Sequence, residues 1–150
     1  DLRLGRLHKI FNISNKMGLS NLILNYDDDI KYESYIQKTD VNGLFVIPRG
    51  IVPPNPTELL GSKKFDDILH DLKRIFDYII LDATPINGLS DALVLTKNAN
   101  EVVIVCKYGK TDLGDLEECK KALLNADAKI AGVVINSMPK TKNKYGYYTE

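Results

Sequence analysis

The chain has 150 residues, and its 20 lysines and arginines balance its 20 aspartates and glutamates, so the formal net charge is zero. That length suits one domain with its own hydrophobic core, and the lack of a basic excess argues against nucleic acid as the main partner. No apolar run approaches the roughly 20 residues that a membrane-spanning helix needs.

The first 40 residues are irregular and predict two short helices, over residues 4–11 and 19–24. Asp27-Asp28-Asp29 then begins a polar stretch that predicts a surface loop. The chain opens on Asp1-Leu2-Arg3 rather than on Met, so we expect a fragment that lacks an amino-terminal part.

Four short apolar runs predict strands, at residues 44–47, 78–81, 102–106 and 130–135. They are rich in β-branched residues and do not alternate, which is typical of buried parallel strands. Helical patterns separate them. The clearest begins at Asn55-Pro56-Thr57-Glu58, with Asn as the cap and Pro in the first turn, and continues to Phe76. A short helix follows Ser90-Asp91, and another covers residues 112–126 with Leu113, Leu116, Leu123 and Leu124 on its buried side.

Alternating strands and helices predict an α/β fold with a doubly wound, mostly parallel sheet and helices on both faces. Residues 1–138 would form this domain. From residue 139 onward the chain is lysine-rich and has no apolar stripe, which predicts a flexible, tyrosine-rich tail over residues 139–150. Cys106 and Cys119 lie inside predicted elements without a metal motif, so we interpret both as reduced and structural.

The segment from Tyr78 to Pro85 is the most informative part of the chain. Three large apolar residues lead into Asp82, and Pro85 stops the strand from continuing. Such a strand delivers its carboxylate to the carboxyl edge of a sheet, where open α/β folds bind ligands. In a nucleotide-binding protein this acid faces Mg²⁺. The alternative is an aspartate that caps a turn.

The sequence contains no phosphate-binding loop of the form G-x-x-x-x-G-K-[ST]. Gly109-Lys110-Thr111 follows a predicted strand, but Ile104, five positions earlier, lies in the middle of that strand. A glycine-rich loop cannot form there, so we interpret these residues as a turn that opens a helix.

Taken together, the motifs resemble the tyrosine kinases of bacterial capsule and exopolysaccharide biosynthesis, a branch of the deviant P-loop ATPases. Asp1-Leu2-Arg3 is similar to the second half of that family's D-x-D-x-R motif, and residues 78–85 are similar to its Walker B segment. Residues 43–60, Ser90-Asp91-Ala92, residues 107–111 and residues 130–136 also fit. Asp82-Ala83-Thr84-Pro85 departs from the usual Asp-Thr-Pro-Pro, and the P-loop, the first acid and the oligomerisation helix lie outside the chain.

The resemblance implies an ATP-dependent protein-tyrosine autokinase that regulates capsular or exopolysaccharide synthesis and export, with ATP and Mg²⁺ as cofactors. It makes Asp1 and Asp82 the catalytic, metal-binding acids, with Asp1 also orienting or deprotonating the substrate tyrosine. Arg3 would contact phosphate, or else pair with a carboxylate. Asn136 would bind adenine, or else only form a turn.

The tail would supply the phosphoacceptors Tyr145, Tyr147 and Tyr148, because a disordered end can reach into a neighbouring subunit. The alternative is a loose tail that packs elsewhere. The implied partners are a membrane-anchored polysaccharide co-polymerase that acts as activator, further copies in a ring, and a cognate tyrosine phosphatase. The implied location is cytoplasmic, at the inner face of the membrane. Without the P-loop, the chain itself should bind ATP poorly.

Three other hypotheses stay open. A deviant ATPase of the partition or septum-positioning type shares the acids but lacks the tyrosine tail. A phosphoacceptor receiver domain would use Asp82, yet Pro85 stands three rather than four residues later, and Pro139-Lys140 reverses the expected order. The chain could also be a truncated remnant that serves only as a subunit or substrate of an intact kinase.

Overall fold

The computed structural model describes residues 1–27, 29–85 and 90–139. In chain order it contains helices α1 (Leu7–Ile10) and α2 (Leu19–Leu24), a 3-10 turn (Tyr32–Ser34), strands β1 (Gln37–Lys38) and β2 (Phe45–Val46), helices α3 (Pro56–Leu60), α4 (Lys63–Leu72) and α5 (Asp91–Thr96), strand β3 (Val102–Lys107), helix α6 (Leu113–Asn125) and strand β4 (Ile130–Asn136).

The core is built around α4. Its buried side chains Phe65, Ile68, Leu69 and Leu72 recur at three- and four-residue spacing and so form one face of the helix. They pack with residues that come from distant parts of the chain, namely Leu2, Leu22, Ile23, Tyr35, Leu60 and Leu95. Each such side chain contributes roughly 1.5–3 kcal/mol through removal from water.

The long helix predicted from Asn55 to Phe76 is wrong, because the chain forms two helices there. Gly61 ends α3, and Ser62 adopts extended backbone angles and accepts a hydrogen bond from the amide of Phe65, which caps α4. Asn55 occupies the predicted N-cap position of α3, but its side chain makes no capping hydrogen bond, because its amide donates to Glu58 Oε2 at 3.0 Å instead. Glycine favours the end of a helix and serine favours the start of the next one. The helical spacing of apolar residues across 59–76 does not reveal this break.

Two tyrosines connect the segment after helix α2 with helix α4 through hydrogen bonds. The hydroxyl of Tyr32 donates to Asp71 Oδ2 at 2.7 Å, and that of Tyr26 reaches the same oxygen at 3.3 Å. Burial, and then the negative Asp71, raise the pKa of Tyr32. This part of the predicted surface loop is therefore attached to the core.

Strands β3 and β4 pair in parallel and α6 connects them, as the sequence predicts. Asp112 caps α6 by accepting from the amide of Gly114 at 2.7 Å. The predicted buried side of α6 is partly wrong: Leu123 is buried, whereas Leu113 is 77% exposed and Leu124 is also exposed. No helix among the described residues is long and apolar enough to span a bilayer.

The other two predicted strands are not buried parallel strands. The run at 44–47 forms only β2, which pairs antiparallel with β1. Residues 78–81 are unpaired, and Tyr78 and Ile80 are 89% and 88% exposed. Ile79 and Leu81, which alternate with them, are partly buried against the core, so among the described residues only one face of this run is covered. The described residues therefore form two separate two-stranded sheets, and the doubly wound sheet stays a prediction.

Candidate acidic site at the first turn

The first four residues form a turn that is organised by the carboxylate of Asp1. Its Oδ1 accepts hydrogen bonds from the amides of Arg3, at 2.8 Å, and Leu4, at 2.9 Å. An aspartate that binds amides two and three positions ahead fixes both the backbone and its own rotamer. Asp1 therefore presents its carboxylate in a defined direction.

This turn brings Asp1 to Asp82, which lies 81 residues further along the chain. The nitrogen of Asp1 donates to the carbonyl oxygen of Asp82. Both residues line a small pocket of about 40 Å³, with Arg49 and the backbone of the first turn beside them. The two acids that the sequence singled out therefore lie together.

The guanidinium group of Arg3 is paired with the carboxylate of Asp91. Its Nε donates to Asp91 Oδ2 at 2.7 Å and its Nη2 to Asp91 Oδ1 at 3.1 Å, which is the two-pronged geometry typical of strong arginine–carboxylate pairs. Thr57 donates to the same Oδ1 at 2.5 Å. Between the two alternatives for Arg3, the contact found here is the carboxylate; a contact with phosphate stays a prediction.

Arg49 supports the turn from the other side. Its Nη1 donates to the carbonyl oxygen of Arg3 at 2.8 Å. Arg49 is itself held by the start of α2, where the hydroxyl of Ser20 donates to the Arg49 carbonyl at 2.8 Å. The sequence reasoning missed Arg49, Thr57 and Asp91 as parts of this site, because nothing local in the sequence shows that three separate segments converge on Arg3.

The donor set suits Mg²⁺ better than a metal with a complete protein cage. Two carboxylates are hard oxygen ligands, and Mg²⁺ usually binds one or two carboxylates while keeping waters and phosphate oxygens as its other ligands. Within residues 1–27, 29–85 and 90–139, no group of three or more His, Cys, Asp or Glu side chains could hold a metal. The metal-binding roles of Asp1 and Asp82 stay predictions.

The remaining predicted residues lie elsewhere. Asn136 ends β4, and its Oδ1 accepts from the amide of Ser137 at 2.6 Å, as in a turn. Gly109-Lys110-Thr111 forms the predicted turn before α6, in which the amide of Thr111 donates to the Lys107 carbonyl at 2.9 Å. Tyr145, Tyr147 and Tyr148 fall outside the described residues, so their roles stay predictions.

Comparison with known proteins gives a consistent result, although no protein-family model matches the chain. CapB of Staphylococcus aureus is 38% identical over 148 residues, which is 99% of this chain and 64% of that protein. The tyrosine-protein kinase ptk of Acinetobacter johnsonii is 35% identical over 145 residues, 97% of this chain and 19% of that protein.

Solved structures agree. The chimerical protein CapA2B2 has a TM-score of 0.87 and 34% identity, and the match covers 93% of this chain and 61% of that one. The kinase domain of the Escherichia coli tyrosine kinase ETK has a TM-score of 0.84 and 31% identity, with 98% and 58% covered. The chain thus spans less than two thirds of each of these relatives. With matches along nearly its whole length, the chain is a homologue of the bacterial tyrosine kinases of capsule and exopolysaccharide synthesis.

Proposed function

We propose that this chain forms the carboxyl-terminal part of an ATP-dependent protein-tyrosine kinase domain that regulates capsular or exopolysaccharide synthesis and export. The observation that carries the proposal is the meeting of Asp1 and Asp82, which lie 81 residues apart in the sequence. Acids at that position of a nucleotide-binding α/β fold face a metal ion. In the longer protein, we expect the unpaired run at 78–81 to become a strand of a doubly wound sheet.

Mg²⁺ and ATP would supply the phosphoryl group and neutralise the charge that develops during its transfer. Asp82 and Asp1 would hold the metal, directly or through water. Oδ1 of Asp1 is occupied by the amides of Arg3 and Leu4, which leaves Oδ2 to face the metal or to accept a proton from the substrate tyrosine. Because a tyrosine hydroxyl has a pKa near 10, its positioning matters more than its prior deprotonation.

The rest of the proposal concerns parts that lie away from these acids. Tyr145, Tyr147 and Tyr148 would accept phosphate from a neighbouring copy, and Asn136 would contact adenine. The activator would be a membrane-anchored co-polymerase, which would keep the protein at the inner face of the membrane; the chimerical nature of CapA2B2 supports a partner of this kind. We also expect copies of the protein to assemble into a ring and a cognate tyrosine phosphatase to act on the phosphorylated tyrosines.

A partition-type ATPase would share the acid pair, but the relatives named as tyrosine kinases favour the kinase. Sequencing the codons upstream of Asp1 distinguishes the kinase from an inactive remnant. An open frame that encodes G-x-x-x-x-G-K-[ST] and a strand ending in Asp-x supports the kinase. A stop codon or an unrelated frame would withdraw the catalytic proposal and leave the fold.

The metal site can be tested on the chain itself by titration with Mn²⁺, a paramagnetic substitute for Mg²⁺. We expect Asp82→Asn to abolish the wild-type binding, because it removes one of two ligands. Asp77→Asn is the matched control, since Asp77 is exposed five residues earlier and should leave binding unchanged. Equal binding by wild type and Asp82→Asn, or no binding by the wild type, would remove the acid pair as a metal site.

A further inference from the structure

Asp91 is the most deeply buried charged side chain among the described residues, with 2% of its surface exposed. A buried carboxylate is costly unless it is paired and hydrogen-bonded. Asp91 meets both conditions, since Arg3 donates to both of its oxygens and Thr57 donates to Oδ1. The start of α5 therefore carries a buried charge that is fully paired and hydrogen-bonded, although Asp91 has no catalytic role in the function proposed above.

The partners of Asp91 come from separate segments. Arg3 belongs to the first turn, Thr57 to α3, and Asp91 itself to α5. A single carboxylate therefore fixes the first turn against two helices. The bond lengths of 2.5–3.1 Å leave little freedom in this arrangement.

The same arginine connects Asp91 to the acidic pair through its backbone. The amide of Arg3 donates to Asp1 Oδ1, and the carbonyl of Arg3 accepts from Arg49. Movement of Arg3 would therefore rotate the Asp1 carboxylate away from Asp82. We propose that Asp91 is a positioning residue, which holds Arg3 with Thr57 so that Asp1 faces the site beside Asp82.

The role of Asp1 and Asp82 as metal ligands rests on the function proposed above; the positioning of Asp1 does not. Arg3 is 36% exposed, so water can hydrate its guanidinium when Asp91 is neutralised. Arg3 therefore does not need the pair with Asp91 to keep its charge hydrated, whereas the direction of the first turn depends on that pair. Two of the three guanidinium nitrogens of Arg3 donate to Asp91. This contact anchors the side chain of Arg3 and thereby restrains the Arg3 backbone.

Amide hydrogen exchange on the chain, resolved by NMR, tests this directly. In Asp91→Asn we expect the amides of Arg3 and Leu4, which Asp1 binds, to exchange at least about tenfold faster, whereas amides within α4 keep their wild-type rates. Asp66→Asn is the matched control: it neutralises an aspartate in an exposed pair with Lys97 and should leave Arg3 and Leu4 unchanged.

Equal acceleration in α4 would show that Asp91 only stabilises the whole fold, and would overturn the proposal. Unchanged exchange at Arg3 and Leu4, or a lack of protection there in the wild type, would also overturn it. Should Asp91→Asn not fold, Thr57→Val removes the hydrogen bond to Asp91, together with the longer contacts of the same hydroxyl with Arg3 and Ser90, and retains the shape of the side chain. That variant should show a smaller acceleration confined to the same two amides.

Mn²⁺ titration of the same variants separates this proposal from the function. We expect Asp91→Asn to weaken Mn²⁺ binding by roughly tenfold, the usual size for the loss of a residue that orients a ligand. Faster exchange at Arg3 and Leu4 without Mn²⁺ binding by the wild type would retain the positioning role and reject the metal site. Mn²⁺ binding that is equal in wild type and Asp91→Asn would reject the positioning role.

Discussion

At the scale of single residues, the ionisation of Asp91 is decided by competing effects. Burial alone would raise the pKa of its carboxyl group, but the hydrogen bonds from Arg3, followed by that from Thr57, hold the pKa below its ordinary value. Asp91 is therefore ionised near neutral pH, and its charge is matched by a guanidinium that never loses its proton in proteins.

This balance predicts how the stability of the fold depends on pH. The folded state binds the Asp91 proton less readily than the unfolded chain does, so the pair stabilises the fold above the unfolded pKa of 3.8, and this contribution is lost as the pH falls through the lower folded pKa. We expect Asp91→Asn to flatten the loss of unfolding free energy below about pH 4, as measured by urea denaturation at several pH values. Asp66→Asn should keep the wild-type slope, and an unaltered slope in Asp91→Asn would contradict the prediction.

The two acids could be predicted from the sequence, while the residues that orient them could not. Asp82 is recognisable because an apolar run precedes it and Pro85 follows, and Asp1 because it is followed by Arg3 in a known motif. Asp91 looks from its neighbours like a residue that opens a helix. Its actual role depends on a contact with Arg3, which lies 88 residues away, and no local pattern encodes that contact.

At the scale of elements, the start of α2 is locked to the loop that contains Arg49. The amides of Leu19 and Ser20 donate to the carbonyls of Pro48 and Arg49, at 2.8 and 3.0 Å. Gly18 precedes them and lies so close to this loop that a Cβ atom would stand 2.2 Å from the nitrogen of Gly50. The backbone contact that positions Arg49 therefore requires glycine at residue 18.

We predict that Gly18→Ala separates α2 from this loop and destabilises the fold by about 2–4 kcal/mol, because backbone atoms cannot yield as a flexible side chain can. Thermal unfolding followed by circular dichroism measures the effect. Gly132→Ala is the matched control, since a Cβ there meets nothing within 4 Å. Equal melting temperatures for Gly18→Ala and the wild type would show that the loop moves freely.

Helices were predicted more accurately than strands, for a physical reason. The ends of α2, α5 and α6 depend on capping and spacing within a few residues, so the sequence indicates them directly. The strand predicted at 78–81 depends on partners elsewhere in the chain. Its backbone makes no backbone hydrogen bond with another described residue, and only the face of Ile79 and Leu81 packs against the core. Its apolar composition was recognised correctly, and its burial on both faces was not.

At the scale of the whole molecule, the described residues leave an unusual amount of apolar surface in water. Val103, Val105, Val133, Val134 and Ile135 of the parallel pair are exposed, as are Tyr78 and Ile80. A cleft of about 430 Å³ is lined by apolar core residues, by the run at 78–81 and by the acids Asp1, Asp82 and Asp91. Relatives of greater length contain further chain that could cover such a surface, whereas the described residues do not cover it.

Unpaired strand edges and apolar patches template association with a second copy. We therefore predict that the 150-residue chain self-associates with increasing concentration, and that Ile80→Lys reduces this association. Because Ile80 is 88% exposed, the substitution should change the unfolding free energy by less than about 0.5 kcal/mol. Analytical ultracentrifugation of both variants measures the association.

Ile10→Lys provides the control, because it introduces the same charge at a residue of α1 that is also exposed but is not part of the run at 78–81. It should associate as the wild type does. A wild-type chain that stays monomeric at high concentration would show that the exposed run is not adhesive. An equal reduction by Ile10→Lys and Ile80→Lys would attribute the effect to net charge. A loss specific to Ile80→Lys would identify residues 78–81 as the surface through which two copies of the chain associate.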